Sequence, residues 1–261
     1  VETSTKWLRI FGEKMKLTFV LGAAALVGLA NAQLIPNIGA ESSGLNTAFR
    51  NAARTYQVYY DASTFGLTAP ATLNGFQLRL SVAGNTAIPS TWPSQVLNFA
   101  DYTVELAKPS SAFLTDGEYL SGTTAFSYAQ AAGTNTVVRS GALSVATSSF
   151  AQDGAGGANS WGPTVTFNTN YVLGVGEGLI LTIRHTGYTP GTEPQPFFAN
   201  GTFANGVTDA ISSTAGNTAT AASGFSSPYN IRFTTSTVPE PASFAVLGLG
   251  VLLIARRKRS K

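Results

Sequence analysis

Histidine and cysteine decide most of what this chain could catalyse. There is one histidine, His185, and no cysteine. Cys–His nucleophilic catalysis and zinc held by a Cys/His cluster are therefore excluded. A Ser-His-Asp triad would have to use His185, and no Gly-x-Ser-x-Gly elbow accompanies it. His185 follows the apolar run Leu179 to Ile183 and sits beside Arg184, a place that suits a hydrogen-bonding residue at a strand end. Asp116 with Glu118 could formally pair for glycoside hydrolysis, but Asp116-Gly117-Glu118 reads more simply as a polar turn. The stretch Asp153 to Asn159 has too few carboxylates for a calcium loop. Gly174 to Gly178 is glycine-rich, yet no helix start follows to cradle a phosphate. No catalytic residue, metal ligand or cofactor site is expected.

The chemistry this chain does advertise is performed on it, near its two ends. Val238-Pro239-Glu240-Pro241 is followed by an apolar run from Ala242 to Ala255 and then by Arg256-Arg257-Lys258-Arg259-Ser260-Lys261. The prolines lack backbone donors and push the residue before each toward extended geometry, so this motif should stand clear of any sheet. The apolar run would make a helix of roughly 21 Å at 1.5 Å per residue. That is short of the roughly 30 Å hydrocarbon core that a lasting span must cross. The basic cluster fits a cytoplasmic stop, because Lys and Arg are retained on that side. In the first part of the chain, Met15-Lys16 is a short basic start and Leu17 to Ala30 an apolar stretch. Ala30-Asn31-Ala32 before Gln33 then has the small-residue spacing of a signal peptidase site. Residues 15–32 are read as a signal peptide and 1–14 as a gene-start artefact.

Pro-Glu-Pro, a short apolar helix and a basic tail, in that order over 238–261, closely resemble the PEP-CTERM sorting signal of exported bacterial proteins. The resemblance implies a temporary membrane tether, recognised and cut near the motif by an exosortase. The body also looks like a recurring PEP-CTERM ectodomain. That pattern runs from Asn74-Gly75-Phe76-Gln77-Leu78-Arg79 through Phe99-Ala100-Asp101-Tyr102 and Trp161-Gly162-Pro163 to Leu181-Thr182-Ile183-Arg184-His185-Thr186-Gly187. It implies a sandwich and brings no catalytic residues with it.

The formal charge of +3 belongs to the ends. Between Gln33 and Val238 there are seven Arg or Lys and ten Asp or Glu, so the body is about −3 and nucleic acid is not an expected partner. About 200 residues can bury roughly 70% of the unfolded chain's surface. Without disulfides, that body needs an extensive hydrogen-bonded sheet.

Its hydrophobic period is two. Tyr56, Val58 and Tyr60 alternate with Thr55, Gln57 and Tyr59; Phe76, Leu78, Leu80 and Val82 with Gln77, Arg79 and Ser81; Tyr102, Val104 and Leu106 with Thr103 and Glu105. Such alternation predicts half-buried antiparallel strands. Further strands are predicted at Thr136 to Arg139, Ala142 to Ala146, Thr164 to Asn168, Gly178 to His185 and Asn230 to Thr234. The expected fold over 33–237 is an all-β, antiparallel β-sandwich of jelly-roll or immunoglobulin-like type, flanked by the signal peptide and the short C-terminal transmembrane helix. Residues 208–227, almost wholly Ala, Ser, Thr, Gly and Asn, are expected to be a surface loop or a spacer.

Three functions are weighed. The first is a non-enzymatic protein delivered to the cell surface or extracellular matrix, with the membrane, signal peptidase and an exosortase as its partners. The second is a carbohydrate-binding module for exopolysaccharide. It would stack sugars on Trp92, Trp161 or Tyr188, although the tryptophans read more simply as caps on the ends of the sandwich. The third is an enzyme acting on such a polysaccharide.

Overall fold

The structure, a computed structural model, describes residues 33–36, 43–45, 47–81, 90–119, 124–153, 159–189, 191, 197–199 and 208–236. The predicted signal peptide, Val82, and the terminal segment with its motif, apolar run and basic tail lie outside them.

Antiparallel strands dominate. In chain order they are β1 (Gln33–Leu34), β2 (Ser43–Leu45), β3 (Arg54–Tyr60), β4 (Ala71–Gln77), β5 (Thr91–Trp92) and β6 (Leu97–Phe99). Next come β7 (Tyr102–Ala107), β8 (Thr136–Arg139), β9 (Leu143–Val145), β10 (Phe150–Ala151), β11 (Val165–Leu173) and β12 (Leu179–His185). The last are β13 (Tyr188–Thr189), β14 (Phe197–Ala199), β15 (Thr208–Ser213), β16 (Gly224–Ser226) and β17 (Arg232–Ser236). Two short helices, α1 (Ala62–Phe65) and α2 (Ser111–Asp116), interrupt them. Each starts on a side-chain cap: Asp61 accepts from the Ser63 N–H, and Ser110 from the Phe113 N–H. Each ends on a glycine in the left-handed region, Gly66 and Gly117.

A six-stranded sheet has the order β16-β15-β3-β12-β7-β8, and a four-stranded sheet the order β1-β17-β4-β11. Both send side chains into one apolar cluster. Tyr56, Val58, Tyr60, Val104, Leu106, Leu181 and Ile183 come from the first sheet, and Leu73, Phe76, Val165, Leu173 and Phe233 from the second. The Tyr56 and Tyr60 rings lie in that core, yet their hydroxyls donate to the Ser227 and Tyr229 carbonyls at 3.0 and 2.9 Å. A buried phenol needs such a partner.

The expectation of half-buried strands fails for the centre of the six-stranded sheet. Thr55 to Tyr60 are buried without a break, and so are Leu179 to Ile183. The segment between β7 and β8 covers the second face: Phe113, Tyr119, Phe126 and Ala129 pack with Tyr59, Ile180 and Ile211 in a second apolar cluster. The polar residues trapped there bond to each other. Gln57 Nε2 donates to Thr182 Oγ1 at 2.9 Å, and the Tyr119 hydroxyl donates to Gln57 Oε1 at 2.9 Å. Each partner thereby avoids the cost of an unmatched buried group.

Residues 208–227 are not a single loop or spacer, because strand takes up nine of the 20. They form the hairpin β15–β16, and β15 pairs with β3 from Thr208↔Tyr60 to Ser213↔Thr55. Small residues suit this place because one face of β15 meets the core at Ala210 and the other meets the second cluster at Ile211. Arg184 fastens the hairpin turn, donating from Nη1 to the Ala219 carbonyl at 2.8 Å while its Nε pairs with Glu105 at 3.0 Å.

An ordered, load-sharing hairpin should respond to truncation as a core element does. Ile211→Ala is expected to lower unfolding free energy by about 2–5 kcal/mol in urea denaturation. A spacer would register almost nothing.

Candidate functional site

His185 ends β12 and is buried. Its Nδ1 accepts from the Gly187 N–H at 3.1 Å, which leaves Nε2 as the protonated nitrogen, donating to the Thr47 carbonyl at 2.7 Å. Its ring stacks on Tyr102 at 5.8 Å between centroids. Both nitrogens are spent on backbone groups, so the lone histidine ties a strand end to the Thr47–Phe49 turn and has no lone pair for catalysis. Burial, chiefly, pushes its imidazole down to about 4.

The three aromatic candidates part company. Trp92 is 0% exposed and packs against Phe150 at 5.5 Å and Phe49 at 6.0 Å. Tyr188 is 3% exposed and packs edge-on to Phe99 at 5.7 Å. Neither ring can meet a sugar, so both expectations are corrected: these aromatics are core. Trp92 ends the two-residue strand β5, and its indole fills the aromatic cluster.

Trp161 is partly buried. It forms an antiparallel bridge with Arg79, whose guanidinium carbon lies 4.6 Å from the indole centroid. The Arg232 guanidinium carbon, from β17, lies 5.0 Å from the same centroid. Arg232 Nε donates to Gln77 Oε1 at 2.7 Å and Nη1 to Gln33 Oε1 at 2.9 Å. Gln77 Nε2 in turn donates to the Gly162 carbonyl at 2.7 Å. Burial and the neighbouring Arg79 charge both hold Arg232 below the usual arginine value. Side chains from β1, β4 and β17 thus converge on one indole.

Gly162 sets the position of that indole. A Cβ there would come within 2.0 Å of Phe150 Cε1, so only glycine lets the chain lie against the core ring. Asp153 also shapes the approach, accepting from the Ser160 N–H and hydroxyl. Sequence reading placed Gln77 and Arg79 on the polar face of their strand but missed Arg232. The pairing of distant strands brings it to Trp161, and no local spacing encodes that.

The other sequence candidates stay apart. Asp116 closes α2 and accepts from the Tyr128 hydroxyl, and Glu118 is exposed beyond the helix end. Glu177 binds the Gly174 N–H at 3.0 Å and pairs with Lys108, so Gly174 to Gly178 is a clasped turn.

Two outcomes follow. Gly162→Ala should destabilise the body by about 1–3 kcal/mol through overpacking against Phe150, read as a lowered thermal midpoint. His185 binds its proton more weakly folded than unfolded, so the unfolded chain holds more protons between pH 6.5 and about 4. Its contribution to stability is complete above about pH 6.5 and falls by up to about 3 kcal/mol as pH drops toward 4. His185→Gln should flatten that part of the stability–pH curve.

Comparison with known proteins bears on the terminal segment. No curated protein matches the chain. Residues 237–260 match the family model of the PEP-CTERM protein-sorting motif, and so take in Val238, Pro239, Glu240, Pro241 and the basic residues Arg256, Arg257, Lys258 and Arg259. The motif implies export, membrane anchoring through the C-terminal segment and recognition by an exosortase. The chain therefore carries a PEP-CTERM sorting signal, and that signal is the part of it for which a family is shown.

Proposed function

We propose that this chain is a non-enzymatic exported protein whose body serves at the cell surface or in the extracellular matrix after exosortase processing. The observation that carries the reading is the sorting motif at 237–260. The fold supports it at both ends of the body. β1 starts at Gln33, directly after the Ala30-Asn31-Ala32 pattern, and β17 ends at Ser236, two residues before Val238. These two strands pair with each other, Gln33↔Thr234 and Leu34↔Phe233. Cuts by signal peptidase before Gln33 and by an exosortase near Pro239 would remove both targeting segments and leave this sheet whole. The core shared by the two main sheets supports a β-sandwich body, and the backbone-bound His185 fits a protein without catalytic duty.

Trp161 with its two arginines favours a second reading, in which the body binds extracellular carbohydrate. Stacking on Trp92 or Tyr188 has no part in it.

Replacing Pro239, Glu240 and Pro241 together by alanine should leave the protein uncut and held in the membrane fraction. Immunoblotting of membrane and extracellular fractions reads this directly. Release of that variant at the wild-type size and level would refute exosortase processing.

A further inference from the structure

We propose that the end of the body carrying Ser236 rests on the lipid surface while the tail is anchored, and leaves that surface once the tail is cut. The proposal rests on the anchoring and processing read from the sorting signal. Six residue steps lead from Ser236, the last residue of β17, to Ala242, where the apolar run starts. Fully extended, they reach about 20 Å. The headgroup layer of one leaflet takes up roughly 5–8 Å of that reach, which keeps Ser236 within about 15 Å of the lipid surface. Strand register shows what else lies at this end. Arg232 bonds to Gln77 and Thr234 to Asn74, so β17 runs against β4 and Ser236 heads toward Thr72. Thr72 pairs with Val172, and Ala71 with Leu173. Beyond Leu173 the chain turns through Gly174 to Gly178 into β12, whose first residue, Leu179, pairs with Tyr60.

What this end presents is apolar. Val172 is 58% and Val175 52% exposed. Ala69 and Pro70 are exposed as well, within a stretch, Gly66 to Thr72, that carries no charge. Of the charged groups beside it, Lys108 and Glu177 pair with each other, and Asp61 caps α1. A few exposed apolar side chains would hold a free body on lipid only weakly. The tether changes that balance, because a short linker raises the effective concentration of surface and body to about the millimolar range. Lipid is the occupant for the same reason: the anchored tail delivers it to this end, and no protein partner is delivered so. Cutting near the motif removes the tether, and the weak contact goes with it.

The chain has no cysteine, so single-cysteine variants of the full chain take one fluorescent label each. V172C, V175C and V96C are labelled and reconstituted into phosphatidylcholine–phosphatidylglycerol vesicles that contain a headgroup-attached nitroxide quencher. Val96 is exposed too, but it precedes β6, which pairs with β13 beyond His185 at the far end of β12. Labels at 172 and 175 should be quenched about threefold or more over the label at 96. Adding V172D/V175D to labelled A69C should remove about half or more of the quenching that A69C shows alone. All three positions are exposed, so these changes leave the core untouched. Trimmed protein recovered outside the cells should not float with vesicles of the same composition. Equal quenching at 96 and 175, quenching at 69 that survives both aspartates, or flotation of the trimmed protein would overturn the proposal. Vesicle-bound chain with an unquenched label at 175 sinks the contact alone. A full chain that stays off the vesicles sinks the anchoring reading, and the contact with it.

Discussion

The pairing of β3 with β12 constrains everything around it. Seven residues of each strand are in register, from Leu179↔Tyr60 to His185↔Arg54, and both faces of the pair are covered. A ladder buried on both sides admits few polar groups, and each one admitted needs a partner. Gln57, Thr182 and Tyr119 satisfy one another on one face, and Tyr56 and Tyr60 reach backbone carbonyls on the other. At the end of the ladder His185 does the same with Thr47 and Gly187. The cysteine-free body thus gains its rigidity from matched polar groups inside two apolar clusters rather than from crosslinks.

That constraint also separates structure from function. Residues that looked chemically suggestive are mostly consumed by the fold: the histidine in backbone bonds, Trp92 in aromatic packing, Glu177 in clasping a turn. Arg79, Trp161 and Arg232 meet, partly buried, where the Arg79–Trp161 bridge lies beside β17. The four-stranded sheet holds β1 and β17, and β17 is the last strand before the sorting motif in sequence.

Much of the strand content was legible because burial imposes a period of two. Tyr102 to Leu106 alternates as predicted, with Thr103 and Glu105 only partly covered, and Thr136–Arg139 forms a strand over the span expected. The apolar run at Leu179 announced a strand but not its second cover, which comes from a segment some fifty residues away in sequence. The β15–β16 hairpin was invisible for a compositional reason. Ala, Ser and Thr fill narrow gaps between a neighbouring strand and a core as readily as they fill a loop, and only the pairing with β3 distinguishes the two. The Trp161 cluster was half legible: the tryptophan and the outward Arg79 could be read, whereas Arg232 depends on which strand lies next to β4. The sorting signal was fully legible, because a short ordered pattern near one end needs no tertiary context.

Export followed by trimming is tested most directly by the intact mass of the protein recovered outside the cells. The expected species begins at Gln33 and lacks the basic residues Arg256 to Arg259. A recovered protein whose mass still includes that basic segment would contradict the proposed processing.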